Sequence, residues 1–135
     1  MRKHEAGLTG VQRSILKLLE EGGEEDIVCL VNTRMRRHGD HEEVVAVAEA
    51  VSGLIALGFA LIGQARSRST LEWISLSMGE SLALSKNLAN CVDWSCEEEI
   101  WKWSSPMHRA QIVVTEPGAV KAREILEQEG YDEQV

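Results

Sequence analysis

The stretch from Val44 to Ile62 constrains the fold more than any other part of the chain. Its first apolar residues recur at steps of three and four, which is the spacing of one face of an α-helix. These residues are Val44, Val47, Val51, Leu54 and Ile55. Gly58 follows at the predicted helix end, where glycine enters the left-handed C-cap conformation without a steric penalty. Residues 59–62 have the pattern of a strand, so the sequence predicts a buried helix leading through Gly58 into a strand.

The same stretch is long enough to be compared with a membrane-spanning helix. Glu49 lies near its middle, where a carboxylate would cost about 2.5–3.5 kcal/mol on insertion scales, and Gly58 divides the segment. Acidic Asp40, Glu42 and Glu43 crowd its start, with no basic anchor beside them. We therefore expect a core helix of a soluble protein, with no membrane partner.

The chain as a whole has the size and charge of one acidic domain. Its 135 residues suit a single domain spanning 1–135, and its net charge of −8 works against non-specific binding to nucleic acid. The three cysteines follow no signal peptide, which favours a cytoplasmic location with reduced thiols. We expect the thiols of Cys91 and Cys96 to be buried or partly buried.

Helix-capping residues mark the remaining helices. Thr9 is the predicted N-cap of a first helix, and Glu24 with its acidic neighbours opens a second, where negative charge suits the helix dipole. Asp40 is predicted to cap the central helix. Residues 112–114 form a predicted strand, and Pro117 falls in the first turn of a last helix.

Residues 71–104 are less regular. Ile74, Leu76 and Met78 alternate with serines, which favours a strand, although Ser69 and Glu72 match a capping box. A helical pattern is centred on residues 84–92. Another helical turn is predicted where Ser95 and Glu98 again match the capping box.

The order of elements is three helices, a strand, an insertion, a strand and a helix. The chain therefore resembles the winged helix-turn-helix regulators of bacteria, of the MarR and PadR types. The sequence Leu-Ile-Ala-Leu-Gly-Phe at 54–59 resembles the end of their recognition helix, and Val-Thr-Glu-Pro-Gly at 114–118 resembles the step from the wing into the next helix. The resemblance implies an α+β, mainly α, winged-helix domain with a small inserted subdomain at residues 64–110. Strand 59–62 should then pair with strand 112–114.

The same resemblance implies DNA binding, usually as a homodimer. Five arginines are the candidate DNA-binding residues, grouped near the end of the second helix and at the expected wing. They are Arg34, Arg36, Arg37, Arg66 and Arg68. The alternative for the first group is that it satisfies the helix dipole and pairs with the acidic residues at 40–43.

The central helix departs from a DNA-reading helix in its charge. Its predicted solvent-facing positions are Glu42, Glu43, Ala46, Glu49 and Ala50. Bases and phosphates are contacted mainly by basic and amide side chains, and phosphates repel carboxylates. This composition favours a protein partner for the helix.

Four of the six aromatic residues are tryptophans within the insertion. They are Trp73, Trp94, Trp101 and Trp103. Tryptophan is enriched in the buried centres of protein interfaces, which makes these residues candidates for a protein-binding surface. The alternative is that they form the core of the inserted subdomain.

Motifs of catalysis, cofactor binding and metal binding are missing from the sequence. The pairs His38 with His41, and Cys91 with Cys96, do not have the spacing of known zinc sites. We expect a protein that is not an enzyme and that has no cofactor. Two functions follow: a DNA-binding transcriptional regulator, or a winged-helix adapter that binds another protein and not DNA.

Overall fold

The computed structural model describes residues 8–34, 39–65, 73–105 and 108–134. Within this part the chain is an α+β, mostly helical protein, as the sequence predicted. The described residues form five α-helices and two antiparallel sheets. The helices are α1 Gly10–Gly22, α2 Ile27–Arg34, α3 His41–Ala56, α4 Met78–Lys86 and α5 Glu116–Gln134, and a 3-10 turn spans Leu88–Asn90. The strands are β1 Glu24–Asp26, β2 Ala60–Ala65, β3 Trp73–Ser75, β4 Val92–Ser95, β5 Ile100–Trp103 and β6 Ala110–Val114.

The first helix begins where its sequence predicts. The Thr9 hydroxyl accepts a hydrogen bond from the Gln12 backbone N–H (3.1 Å), and the Gln12 side chain accepts one from the Thr9 N–H (2.9 Å). This reciprocal capping box satisfies two backbone donors that a helix start leaves free. Ile15, Leu16 and Leu19 are completely buried on the inner face of α1.

The prediction that residues 24–26 open the second helix is wrong. They form the short strand β1, in which Glu24 pairs with Val113 and Asp26 with Gln111. Helix α2 starts one residue later, and the Asp26 carboxylate accepts hydrogen bonds from the N–H groups of Val28 (2.8 Å) and Cys29 (3.2 Å). Asp26 does lie at the N-terminus of α2, but residues 24–26 themselves pair with β6 as a strand.

The predicted pairing of the two strands around the insertion is confirmed. In the four-stranded sheet, ordered β1-β6-β2-β3, Ala60 lies opposite Val114 and Ile62 opposite Ile112. Ala60, Ile62 and Ile112 are buried against the helices. The sheet thus closes the core formed by α1, α2 and α3.

Three local predictions for the segment between β2 and β6 need correction. The strand expected through Met78 ends at Ser75, because Ser77 and Glu80 form a capping box that starts α4. Val92, predicted to be helical, is in β4. Residues 96–99, predicted as a helical turn, close the β4–β5 hairpin instead, with the Glu98 N–H donating to the Ser95 hydroxyl (3.2 Å). That short-range bond fits either structure, and the pairing of β4 with β5 decides between them.

The two short motifs that carry the family resemblance contact each other. The Thr115 hydroxyl donates to the Gly58 carbonyl (2.6 Å), and the Thr115 N–H donates to the Phe59 carbonyl (3.1 Å). Gly118 lies so close to Phe59 that a Cβ atom there would overlap its carbonyl group. The glycine is therefore required by the close approach of α5 to the end of α3.

Helix α5 packs along α1. The Glu129 carboxylate forms ion pairs with Lys17 (2.5 Å) and Arg13 (3.2 Å) of α1.

No helix in the described residues is both long enough and apolar enough to span a membrane.

Candidate functional site

None of the predicted DNA-binding side chains belongs to the described part of the chain. Arg36, Arg37, Arg66 and Arg68 lie outside the described residues, and so does the side chain of Arg34, the last residue of α2. Their role in DNA binding therefore stays a prediction.

Helix α3, expected to face a partner, is covered at two positions predicted to be exposed. Glu43 and Ala50 are 7% and 6% exposed. The Trp101 indole N–H donates to the Glu43 carboxylate (2.9 Å), and the Gln12 side-chain amide donates to the Ala50 carbonyl (3.3 Å). The insertion covers Glu43, and α1 covers Ala50. The sequence of α3 alone could not predict either contact, because both partners lie elsewhere in the chain.

Helix α4 packs along one side of α3. Ser85 and Ser81, one helical turn apart on α4, are both completely buried. The Ser85 hydroxyl lies 2.5 Å from the Ser52 hydroxyl of α3, and the Ser81 hydroxyl accepts a hydrogen bond from the Ile62 N–H (3.0 Å). These serines were not predicted to take part in helix packing. Their four-residue spacing on a helix was the one signal that pointed to a shared face.

A narrow strip of α3 stays accessible. We call it the α3 ridge. It consists of the exposed Glu42, Glu49 and Ala56 with the half-buried Val45 and Ala46.

A groove runs along each side of the α3 ridge. The α3–α4 groove has a volume of about 340 Å³, and its lining includes Val45, Ala48 and Lys86. The α1–α3 groove has a volume of about 240 Å³, and its lining includes Val11 and Ala46. Glu49 lines both grooves and therefore stands between them.

Trp101 docks the β4–β5 hairpin onto α2 and α3. It is 5% exposed, and its backbone N–H and carbonyl both bond to the Asn32 side chain of α2, at 2.8 and 3.0 Å. With the bond from its indole to Glu43, Trp101 ties the hairpin to two helices of the N-terminal half. Almost none of its surface is left for a partner protein.

The other tryptophans of the hairpin hold the same region. The Trp103 indole N–H donates to the Asp26 carboxylate (3.2 Å), and the Trp94 ring packs edge-on against the Trp101 ring, with centroids 5.4 Å apart. Gly39, before α3, lies against the Trp94 ring so closely that a Cβ would come within 2.8 Å of it. The structure therefore brings Trp94, Trp101 and Trp103 together.

Trp73 lies apart from these three, in β3. It is half-buried, and the Arg109 guanidinium sits over its ring, 5.5 Å from the centroid. The four tryptophans predicted as one interface thus occupy two places.

The expectation of buried or partly buried thiols holds for Cys91 and is wrong for Cys96, which is exposed; Cys29 is exposed as well. Burial raises the pKa of the Cys91 thiol. The pKa of Cys29 is also raised, by partial burial first and then by the carboxylates of Asp26 and Glu25. No group of three or more potential metal ligands occurs in the part of the chain that the structure describes.

One serine–histidine contact was missed in the sequence. The Ser104 hydroxyl lies 3.1 Å from Nδ1 of His108 and donates to the Cys91 carbonyl (2.9 Å). The hydroxyl carries a single proton, which either the carbonyl oxygen or an unprotonated imidazole nitrogen can accept. The contact links Ser104 to His108 after the end of β5.

Comparison of the chain with protein-family models, with curated proteins and with solved structures finds no match. The function proposed below therefore rests on the chemistry of the α3 ridge, its two grooves and the β4–β5 hairpin, which we call the tryptophan hairpin.

Proposed function

We propose that the chain is an enlarged winged-helix domain that acts as a protein–protein interaction adapter, with α3 unavailable to the major groove of DNA. The packing of α4 along α3 carries this proposal, through the part-buried contact between Ser52 and Ser85. The element order supports the winged-helix part: β1 lies between α1 and α2, and β2 and β6 pair beside it after α3.

The width of the α3 region argues against insertion into duplex DNA. The major groove is about 12 Å wide, and a single helix with its side chains is about 10–12 Å across, so the groove admits one helix. Packed helices lie about 8–10 Å apart, so α3 and α4 together present a width of about 20 Å. A duplex that approached the α3 ridge would therefore have to accommodate α4 as well.

The charge of the α3 ridge leads to the same conclusion. Glu42 and Glu49 are exposed on it, at the positions from which a recognition helix would contact bases and phosphates. Both carboxylates would be repelled by the phosphate backbone. A protein partner carries no such penalty.

A second candidate function, DNA binding away from α3, is favoured by the position of two arginines. Strands β2 and β3 pair with Ala65 opposite Trp73, and the seven residues between them include Arg66 and Arg68. In a winged helix this is the place of the wing, which can contact a minor groove or the phosphates.

Titration of the protein against random duplex DNA at about 50 mM salt tests the adapter proposal. At this low salt concentration a basic DNA-binding patch gives measurable binding. We expect no binding, because the proposed adapter does not use DNA as a partner. Binding by the wild type would contradict the proposal. The double variant Arg66→Ala/Arg68→Ala should then lower the log–log salt slope by up to about 2, since each phosphate contact contributes about 0.9. The matched control is Lys121→Ala/Arg123→Ala, which removes the same charge from α5.

Self-association is part of the proposal, because winged-helix proteins usually pair. Val120 and Leu126 of α5 are large apolar side chains that are 44% and 39% exposed. Light scattering over a range of concentrations should give a dimer mass, and a constant monomer mass would contradict pairing.

A further inference from the structure

We propose that the α3 ridge and its two grooves bind an amphipathic helix of a partner protein. The partner helix carries two apolar side chains seven residues apart with an Arg or Lys between them. This inference rests on the proposed adapter function and names the class of partner. The basic side chain pairs with Glu49, and one apolar side chain enters each groove.

Two charged side chains beside the grooves, Glu49 and Lys86, determine which charged residues the partner helix should carry. Glu49 is exposed, lines both grooves and forms no ion pair with any residue that the structure describes. A cation placed between the grooves gains that pairing without breaking an ion pair among the described residues. Lys86, on the far wall of the α3–α4 groove, is likewise without an ion pair among the described residues. It matches an acidic residue beside the apolar side chain that enters this groove.

The spacing of the grooves selects a helix over an extended peptide. Helices packed about 8–10 Å apart leave grooves on the two sides of α3 separated by about the same distance. Residues i and i+7 of a helix lie about 10.5 Å apart on one face, with i+3 and i+4 between them on that face. In an extended chain about three residues cover this distance, and residues i and i+3 then point to opposite sides. A helix crossing α3 places all three side chains correctly.

A second copy of this chain does not fit the same surface. A symmetric dimer through the α3 ridge would place Glu49 near Glu49 of the other copy, in a protein whose net charge is already −8. Like charges at the centre of an interface disfavour that pairing. The exposed apolar side chains of α5 lie on a different helix, so dimerisation and partner binding are separable.

The probe for this surface is a phage-displayed library of alanine-based helical peptides randomised at five positions of one face. We expect selected peptides to carry Arg or Lys flanked by apolar residues seven apart. Synthetic copies of these peptides, measured by fluorescence anisotropy, should bind Glu49→Lys at least ten-fold more weakly than wild type. Glu127→Lys, with the same charge change on the exposed face of α5, should bind like wild type.

Two further variants test the charge pair and the helix. Replacing the basic residue of a selected peptide by Glu should weaken binding to wild type and restore binding to Glu49→Lys. Proline at the middle of the peptide should lower affinity at least ten-fold, because it breaks a helix. Thermal melts of Glu49→Lys and Glu127→Lys should match wild type, since both positions are exposed.

Selected peptides that bind Glu49→Lys as well as wild type would overturn the assignment of the surface, as would a selection without binders. Proline-tolerant binding would overturn the helical partner. The adapter function is tested separately: it fails if the wild type binds duplex DNA, whereas the surface fails if DNA binding is absent and peptide binding ignores Glu49.

Discussion

Replacing Trp101 by Phe tests whether the tryptophan hairpin holds α3 in place. The indole N–H donates to the Glu43 carboxylate at 2.9 Å in a region where Trp101 is 5% and Glu43 7% exposed. Phenylalanine keeps most of the ring packing and removes this donor. The variant therefore isolates the contact between the hairpin and the start of α3.

The expected loss of stability follows from the charge and burial of the acceptor. A hydrogen bond to a charged group contributes about 1.5–3 kcal/mol, and the smaller ring adds a packing loss of up to about 1 kcal/mol. We therefore expect the free energy of unfolding to fall by about 3 kcal/mol. With an unfolding entropy of about 2.1 cal/mol/K per residue, a chain of 135 residues should lose about 10 °C in Tm.

Thermal unfolding followed by circular dichroism at pH 7 measures this effect. The control is Trp94→Phe, which shrinks the ring packed against Trp101 but removes no hydrogen bond described for this chain. We expect it to lose about 1 kcal/mol, or about 3–4 °C. In a Glu43→Gln background the penalty of Trp101→Phe should shrink, because a neutral acceptor contributes about 0.5–1.5 kcal/mol. Equal losses for the two tryptophan variants would refute the reasoning.

Four other variants test the fold. Gly118→Ala should destabilise the protein by at least about 1–3 kcal/mol in urea unfolding, because its Cβ would overlap the Phe59 carbonyl. Gly79→Ala, with open space around it in α4, should be neutral or stabilising. Val51→Asp should abolish a cooperative melt, because this site is 0% exposed and total stability is typically about 5–15 kcal/mol. Glu129→Gln should lower Tm at pH 7: two basic side chains of α1, hydrogen-bonded to the carboxylate, hold its pKa below the ordinary value. That stabilisation is present above the ordinary carboxyl pKa and is lost as pH falls through the lowered pKa, so the two proteins should converge in acid.

The elements predicted correctly are those whose signals are local and redundant. Thr9 as the N-cap of α1, the apolar face of α3 and the step through Gly58 each determine structure within a few residues. The pairing of residues 60–62 with 112–114 also followed, because the resemblance supplied the long-range link. In these segments tertiary contacts did not override the capping chemistry or the hydrophobic spacing.

The errors have a common physical cause in contacts between distant residues. Glu43 and Ala50 were placed on the exposed face because their buried partners lie 58 and 38 residues away in sequence. Ser95 with Glu98 matched a helix cap, but the hydroxyl–amide bond of a cap also stabilises a turn. Only the strand pairing of β4 with β5 distinguishes the two, and that pairing depends on the docking of Trp101.

The insertion covers α3 and also forms contacts within the core, so the variants that test the function of the protein must leave these contacts intact. Ser81 of α4 bonds the backbone of β2, Ser85 bonds Ser52 of α3, and Trp101 satisfies both Asn32 and Glu43. Deleting the insertion would leave a buried carboxylate without its indole donor and would expose apolar surface of the core. Such a deletion would report on folding and would not uncover a DNA-reading helix. Surface substitutions such as Glu49→Lys leave these contacts intact, so they separate the role of α3 in recognition from its role in the core.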